Sequence, residues 1–467
     1  MAFMPLLFII SGVLAAATNE LLTAAIVFGV LVTVAAVIKH EEAALLILVL
    51  PFRAFALFTL GFAHIRLADP ILLTAVLAWL VRKLQKQGST TSQPTNALDV
   101  VLTIFVALHT ISILWASDTS LALMRALSLI RNIMLFWVLR DWLISDFENR
   151  VKKLAVCVAL VGWMMGIGFM YAISQQGGLS ALREIAAAEQ PLTSQGGFLV
   201  AVRTNRSAGL FMSSVNNWYI MGIGVVLGSW SFFWKSHGAI RRWWIPVTAI
   251  MMMMLTIIHL QRGPLLGLAV LATTSLLLLR KRLPPKGYTT TVLVIAFVVL
   301  LLGLTGFTNA IVKRAAFETL AVDAAVEGRF RLWTIAWNSF QQSPLLGIGT
   351  GNALGWNNIV HNLYLQLLAE TGIVGITIFS LLIGLQVRAL WRVYSGETDN
   401  NKAAYAALLL ASLLGHLTMA ITGIDMETPE SWMVLSATSA LLINYKKESM
   451  SSTPKQAENR FQHHTTF

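Results

Sequence analysis

Charged residues are scarce in this chain. Only 12% of its 467 residues are charged and 56% are hydrophobic, whereas about 25% of the residues in an ordinary soluble protein carry charge. This scarcity excludes a soluble globular enzyme and a disordered scaffold. Cysteine is almost absent as well, because Cys157 is the only one in the sequence. An intramolecular disulfide and a thiolate metal cluster are therefore excluded.

Long apolar runs dominate what is present. A membrane crossing needs about 20 mainly apolar residues in a helix, and runs bounded by charges, glycine or proline give fourteen candidates. They cover approximately 3–17, 21–38, 43–60, 66–81, 99–116, 121–143, 155–175, 214–234, 243–259, 264–279, 291–306, 364–387, 403–422 and 432–445. Because several are short, the sequence predicts an all-α, polytopic membrane protein with about 12 (10–14) transmembrane helices.

Basic residues indicate the orientation. The 34 Lys and Arg outnumber the 22 Asp and Glu, and with the N-terminus inside, 21 of the 34 fall in inside loops and the tail. Nine fall outside, namely Arg66, Arg183, Arg203, Arg206, Arg262, Lys313, Arg314, Arg329 and Arg331. This bias predicts cytoplasmic termini by the positive-inside rule. The excess of positive charge is then a topology signal, and no nucleic-acid-binding motif accompanies it.

The runs divide the chain into six segments. Two outside segments are much longer than the others, and long connections in compact proteins usually carry function. The division is 1–175 for N-terminal transmembrane helices, 176–213 for a first long periplasmic loop, 214–306 for central transmembrane helices, 307–363 for a large periplasmic catalytic loop, 364–445 for C-terminal transmembrane helices, and 446–467 for a disordered cytoplasmic tail. The tail is assigned from its polarity and its lack of periodicity.

The segment 307–363 contains an amphipathic pattern. Arg329, Trp333 and Trp337 recur at i, i+4 and i+8, which predicts a helix over 327–341 with one cation and two indoles on one stripe. Two interpretations are open at this point. The helix lies at the membrane interface with its tryptophans as anchors, or Arg329 binds a phosphate while an indole stacks on a sugar.

The sequence then continues to an ionisable residue. Ser343-Pro344 ends the helix, and glycines 347, 349, 351 and 355 predict a flexible turn region. His361 follows in His-Asn-Leu-Tyr-Leu, and a histidine with a pKa of about 6.5 can accept a proton at neutral pH. A hydrogen-bonded structural histidine is the alternative, and it applies equally to His259 and His416.

A short outside turn holds a further cation. Arg262 stands in His-Leu-Gln-Arg-Gly-Pro between two apolar runs. An arginine at membrane depth costs about 2.5–3.5 kcal/mol, so this position is either a binding site or a side chain that extends to the headgroups. Upstream, Arg203 and Arg206 add two cations on the same predicted face. Cations, one histidine and aromatics, without a metal-binding or nucleotide-binding motif, fit a pyrophosphate leaving group and a general base for an incoming hydroxyl.

Four ordered motifs resemble the bacterial O-antigen ligase/polymerase superfamily. They are Asn205-Arg206-Ser-Ala-Gly-Leu-Phe, Arg262-Gly263, Gly328-Arg329-Phe-Arg-Leu-Trp333 with Pro344-Leu-Leu-Gly-Ile-Gly349, and His361-Asn-Leu-Tyr-Leu with Glu370-Thr-Gly372. The resemblance implies an inner-membrane, metal-independent glycosyltransferase that needs no cofactor and has its active site on the periplasmic face. Its donor is a glycan on undecaprenyl pyrophosphate, and its acceptor is another glycan or lipid A-core. Membrane lipids and other polysaccharide assembly proteins are implied as further partners.

The resemblance also implies roles for individual residues. His361 is similar to the family's catalytic histidine, and Arg262 and Arg329 are similar to its two catalytic arginines, although Gln261 stands where the family has a small residue. Substrate-binding roles are implied for a second set, which comprises Arg206, Arg331, Trp333, Tyr364 and Glu370.

Two alternatives remain open at the sequence level. The motifs do not separate a polymerase, which is slightly preferred because many kinds of polysaccharide locus require one, from an O-antigen ligase. A transporter of lipid-linked glycans is the alternative from another class, since cations inside apolar runs also suit a translocation path. These cations are Arg53, Arg125, Arg131 and Arg140. No internal repeat supports a transporter, however.

Overall fold

The computed structural model of the chain describes residues 33–49, 56–60, 63–66, 68–85, 95–174, 215–234, 240–258, 262–282, 289, 292, 324–353, 360–422 and 428–462. The account below concerns these residues. The run at 3–17, most of the runs at 21–38 and 291–306, and the first long loop at 176–213 lie outside them, as do Arg53, Arg206 and His259.

Helices make up nearly all of the described chain. They are α1 (Glu42–Val49), α2 (Ala68–Gln85), α3 (Ala97–Ile111), α4 (Thr119–Ser145), α5 (Phe147–Ser174), α6 (Val215–Trp234), α7 (Ile240–Ile258), α8 (Arg262–Leu279), α9 (Ala324–Gln342), α10 (Leu363–Gly396), α11 (Asn400–Met419) and α12 (Pro429–Gln462), with a 3₁₀ turn at Ser112–Trp115. Each apolar run between residues 66 and 279, and each between 364 and 445, falls on one of these helices.

Four stretches in the described residues are long and apolar enough to cross a membrane. They are Ala97–Trp115, Thr119–Ser145, Leu363–Gly396 and Asn400–Met419. Shorter apolar helices cover Trp218–Trp230, Trp244–Ile257 and Gly263–Leu279. The helical class is thus confirmed and four helices fit a membrane crossing by length and composition, while the number of about 12 crossings stays a prediction.

One β-hairpin departs from the all-α expectation. Strands β1 (Ala56–Leu60) and β2 (Ala63–Arg66) pair antiparallel, with Leu60 opposite Ala63. The run at 43–60 was expected to form one membrane segment, but α1 ends at Val49, shortly before Pro51. Proline cannot donate a helical hydrogen bond and disfavours helical geometry in the residue before it, which explains why the apolar run does not continue as a helix.

The C-terminal tail also differs from expectation. Disorder was predicted from Lys446, but α12 continues to Gln462. The segment contains three Lys, two Glu and two Gln, which have favourable helix propensities, together with three Ser and Pro454, which do not. Because α12 is already formed before Lys446, adding further turns requires no new nucleation step.

Helix α11 is the centre of the bundle. It packs against α6, α8 and α10, and residues from Ala403 to Ala411 are almost fully buried. Its contact with α8 is close enough that a Cβ on Gly415 would lie 2.6 Å from the backbone oxygen of Gly267. Small residues that let helix backbones approach in this way are typical of helix packing in membranes.

A buried ion pair joins α3, α4 and α12. Arg140 Nη2 lies 2.9 Å from Asp99 Oδ2, and each of these two side chains is only 1% exposed. Ser439 Oγ donates to Asp99 Oδ1 at 2.6 Å and accepts from Arg140 Nε at 3.1 Å. Among the cations within apolar runs, Arg140 is therefore part of a hydrogen-bonded network that ties helices together.

Candidate functional site

Helix α9 confirms the amphipathic pattern. Residues 327–341 were predicted to be helical, and α9 covers Ala324–Gln342 and ends immediately before Ser343-Pro344. Trp333 packs on a small buried cluster formed by Ala336, Ala353, Val360 and Ala369. Trp337, one turn further on, is 45% exposed. The indole of Trp333 therefore packs near the start of α10, whereas the indole of Trp337 lies on the surface of the protein.

The two arginines of α9 differ in their surroundings. Arg329 is half-buried, whereas Arg331 is exposed. Arg329 precedes Trp333 by one helical turn, so it lies on the side of α9 that faces α10. The site roles of both arginines stay predictions.

The loop after α9 is fastened to α10. We call residues 343–353 the glycine loop. The amides of Ile348 and Gly349 donate to the carbonyls of Ala369 and Glu370, at 2.9 and 3.0 Å. In return, the amides of Ile373 and Val374 donate to the carbonyls of Pro344 and Leu345, at 2.8 and 3.2 Å. In a continuous helix the amides of Ile373 and Val374 would donate to the carbonyls of Ala369 and Glu370. Here these two helical hydrogen bonds are replaced by four hydrogen bonds between the glycine loop and α10.

Glycines make this exchange possible. Gly372 has φ +63° and non-helical geometry inside α10, and it divides the helix into residues 363–371, which we call the upper half, and residues 373–396. Gly347 opposite has φ +66°, and a Cβ there would overlap the backbone of Glu370. A flexible turn was predicted from these glycines. Gly355 lies outside the described residues, and at glycines 347, 349 and 351 a positive φ allows close backbone or side-chain contact with α10, with the corner between α3 and α4, or with α4.

His361 stands immediately before the upper half. It is half-buried and adopts φ +54°, a left-handed conformation that is uncommon outside glycine. Asn362 caps α10, its side chain accepting from the amides of Tyr364 and Leu365 at 3.1 Å each. The cap and the left-handed turn fix the direction in which the chain enters α10, and with it the position of His361.

Three chain segments meet at the end of α11. The amide of Leu363 donates to the carbonyl of Ala420 at 3.0 Å. A Cβ on Gly263 would lie 3.6 Å from Met419 Cγ, so the first turn of α8 contacts the same end of α11. Arg262 is the first residue of α8. The structure thus brings the start of α8 and the start of α10, with Arg262 and His361, to the last turn of α11.

Residues 247–380 match the family model described as O-antigen ligase. These residues are similar to an O-antigen ligase domain, and we call them the ligase domain. The match supports membership of the O-antigen ligase/polymerase superfamily and a glycosyltransferase of that type, and it does not separate ligase from polymerase. No curated protein matches the chain.

The ligase domain holds most of the predicted site. Its residues run from α7 through α8 and α9 into α10, and they include seven of the eight predicted site residues, all except Arg206. The chain contributes contacts from beyond the domain as well. The last turn of α11 follows residue 380, and α3 and α4 precede residue 247.

Two predicted substrate-binding residues of the ligase domain are bonded to the protein itself. The hydroxyl of Tyr364 donates to the carbonyl of Leu417 at 2.9 Å. Glu370 is 5% exposed and accepts from Gln366 Nε2 at 3.1 Å. These contacts attach the upper half of α10 to α11 and stabilise it internally. They favour a supporting role for Tyr364 and Glu370, and direct substrate contact stays a prediction.

Two further histidines lie near the ligase domain: His416, for which a hydrogen-bonded structural role was an alternative at the sequence level, and His109, which sequence reasoning missed. His416 lies one turn before Ala420 and its Nε2 is 2.8 Å from Ser431 Oγ. His109 is 1% exposed, and its Nδ1 is 2.8 Å from Thr350 Oγ1 in the glycine loop. The partner of His109 is 241 residues away, so only the position of this histidine within an apolar run could have drawn attention to it.

We call the place where the starts of α8 and α10 meet the last turn of α11 the junction. The charges at the junction favour a bound anion. A helix N-terminus carries about half a positive elementary charge, and at α10 this charge remains although the first amides are bonded to Asn362 and Ala420. Two such ends, those of α8 and α10, lie beside the last turn of α11, and Arg262 adds a permanent cation to one of them. Within the described residues, no group of three or more His, Cys, Asp or Glu is placed to hold a metal ion. A phosphate-bearing substrate fits this arrangement.

Proposed function

We propose that the protein is a metal-independent glycosyltransferase of the bacterial inner membrane. It transfers a glycan from undecaprenyl pyrophosphate to a sugar hydroxyl on the periplasmic face, during the synthesis of a cell-surface polysaccharide. The observation that carries the proposal is the junction of Arg262 and His361 at the end of α11, in a chain whose residues 247–380 match the O-antigen ligase family.

Each group has a defined task in the proposed reaction. Arg262 and Arg329 bind the pyrophosphate of the donor and neutralise the charge that develops as it leaves. His361 accepts the proton of the acceptor hydroxyl, whose oxygen then forms the new bond to the anomeric carbon. Arg206, Arg331 and Trp333 contact the sugars or phosphates of the substrates. The bond that breaks joins the anomeric carbon to the pyrophosphate oxygen.

The acceptor decides between two versions of this function. A polymerase joins the glycan to another lipid-linked glycan, and a ligase joins it to lipid A-core. We favour the polymerase, because polysaccharide loci of many kinds require one. Purified protein given donor alone should then form a ladder of longer lipid-linked glycans. A product that appears only when lipid A-core is added would establish the ligase, and donor crossing the bilayer without a new glycosidic bond would establish the transporter.

Replacement of the arginines by lysine tests phosphate binding. Arg262→Lys and Arg329→Lys each keep the charge but lose the planar fork that binds two phosphate oxygens at once. We expect kcat/KM to fall about 10- to 100-fold, since hydrogen bonds to charged groups contribute about 1.5–3 kcal/mol. Arg388→Lys, an exposed position near the other end of α10, is the matched control and should retain full activity. Unchanged kcat/KM in both site variants would contradict pyrophosphate binding.

Thiol labelling tests the proposed orientation. In a Cys157→Ser background, cysteine is introduced at Gln341 in α9 or at Thr398 between α10 and α11, both of which are exposed. An impermeant maleimide added to the periplasmic side should label Gln341→Cys and spare Thr398→Cys until the membrane is opened. The reverse pattern would place His361 on the cytoplasmic side and exclude the proposed reaction with a periplasmic acceptor.

A further inference from the structure

The glycine loop has a second attachment, on the side away from α10. Thr350 Oγ1 lies 2.8 Å from His109 Nδ1 and 2.7 Å from Ser112 Oγ. The amide of Thr350 also donates to Ser112 Oγ at 3.0 Å. His109, Ser112 and Thr350 are each at most 2% exposed. One threonine of the loop is therefore held in a buried polar pocket at the end of α3.

Asn352 strengthens this attachment. Its Oδ1 accepts from the amide of Asp118 at 2.7 Å and from the hydroxyl of Ser117 at 2.8 Å. Between the two polar anchors the backbones are in close contact, since a Cβ on Gly349 would lie 2.6 Å from Ala116 Cβ. The whole stretch from Gly349 to Asn352 is thus fixed to the corner between α3 and α4.

The same loop holds the segment that carries the histidine. Its amides at Ile348 and Gly349 bond to the last carbonyls of the upper half of α10, and His361 lies just before the first residue of that half. The upper half is only nine residues long, from 363 to 371, and Gly372 separates it from the rest of α10. Its far end is therefore positioned by the glycine loop, and the loop is positioned by α3 and α4.

We infer that Thr350, held by His109 and Ser112, is a positioning residue for His361. The inference rests on the proposed function, in which His361 accepts the proton of the acceptor. Because the glycine loop is bonded both to the corner between α3 and α4 and to the upper half of α10, it fixes the position of the upper half relative to α3 and α4. The N-terminal helices, which lie outside residues 247–380, thereby take part in catalysis without contacting substrate.

A single substitution can remove the hydroxyl of Thr350 and keep the shape of its side chain. Valine has nearly the same shape, but it leaves the buried His109 Nδ1 without its partner and removes one of the bonds of Ser112 Oγ, which keeps the amide of residue 350 and the His109 carbonyl. An unpaired polar atom in a buried site is unfavourable. The loop then shifts to relieve this, and the upper half of α10 shifts with it because their backbone bonds remain. A displacement of about 1 Å at a reacting group can cost on the order of 100-fold in rate.

The test compares three variants in the purified full-length protein. Thr350→Val removes the hydroxyl, and Thr350→Ser keeps it. Thr256→Val in α7 is the matched control, because Thr256 is fully buried and its hydroxyl bonds only to the Met252 carbonyl of its own helix. We expect Thr350→Val to lower kcat about 10- to 100-fold with the KM for donor within about twofold of wild type. Thr350→Ser should restore most of the kcat, and Thr256→Val should match wild type.

Hydrogen exchange gives a readout that does not depend on activity. Amides of residues 348–353 should exchange faster in Thr350→Val than in wild type, and at the wild-type rate in Thr256→Val. Unchanged amide exchange together with unchanged kcat in Thr350→Val would contradict the inference that Thr350 positions His361 through the glycine loop. Equal losses of kcat in Thr350→Ser and Thr350→Val would overturn the role of the hydroxyl. If Thr350→Val does not accumulate, Ser112→Ala takes its place with the same expectations. An inactive wild-type protein with the expected exchange pattern would refute the proposed function and leave the attachment of the loop intact.

Discussion

Replacement of His361 should abolish glycan transfer while the protein remains folded. His361→Gln keeps a hydrogen-bonding side chain but cannot take up a proton near neutral pH. Loss of a general base typically lowers the rate about 10²- to 10⁴-fold. We expect His361→Gln and His361→Ala to show losses in this range in a reconstituted assay with lipid-linked donor, together with normal donor binding, because the arginines are unchanged.

The backbone at His361 requires two further variants. Its φ of +54° is shared by one other non-glycine residue among those described, the exposed His40. Asparagine tolerates this conformation better than most residues, so an inactive His361→Asn would show that the loss is chemical rather than conformational. His40→Gln is the matched control and should be fully active. A His361→Gln enzyme at near wild-type rate would show that another group is the base, and Glu370 would be the next to examine.

Gly347→Ala should destabilise the protein strongly. The added methyl group would overlap the backbone of Glu370, and alanine would have to adopt φ +66°. A left-handed non-glycine residue and an overpacked contact each cost about 1–3 kcal/mol, so we expect a loss on the order of 2–5 kcal/mol. Thermal unfolding of the detergent-purified protein measures this as a lower melting temperature.

Gly384→Ala provides the comparison for that experiment. Gly384 lies in the same helix, α10, and a Cβ there meets no atom within 4 Å. Alanine is about 0.5–1 kcal/mol better than glycine inside a helix, so this variant should melt at or slightly above the wild-type temperature. Equal melting temperatures for Gly347→Ala and Gly384→Ala would show that the loop is not held against α10 as described.

Local patterns in the sequence predicted a large part of the fold. The spacing of Arg329, Trp333 and Trp337 predicted α9, which begins at Ala324 and ends at Gln342. Apolar runs likewise predicted most of the helices between 66 and 279 and between 364 and 445. In these cases the signal lies within a few turns of one helix, where period and hydrophobicity decide the structure.

Features that depend on distant contacts were not predictable. The glycines near Thr350 read as a flexible turn, because their backbone partners stand about 20 residues later in α10. His109 had no motif around it, since its partner is 241 residues away. The site shows the same division: a recognisable motif surrounds His361, while the contacts that position it join segments with no shared pattern.

The exchange of hydrogen bonds at Gly372 has a consequence for biogenesis. During synthesis the glycine loop leaves the ribosome before α10, whose amides at Ile373 and Val374 find their acceptors in that loop. An amide without an acceptor costs several kcal/mol inside a bilayer. Until the loop docks, α10 avoids this cost only as a continuous helix, in which the amides of Ile373 and Val374 bond to the carbonyls of Ala369 and Glu370. The kink at Gly372 should therefore form after α10 has been synthesised, when residues 344–349 dock against it.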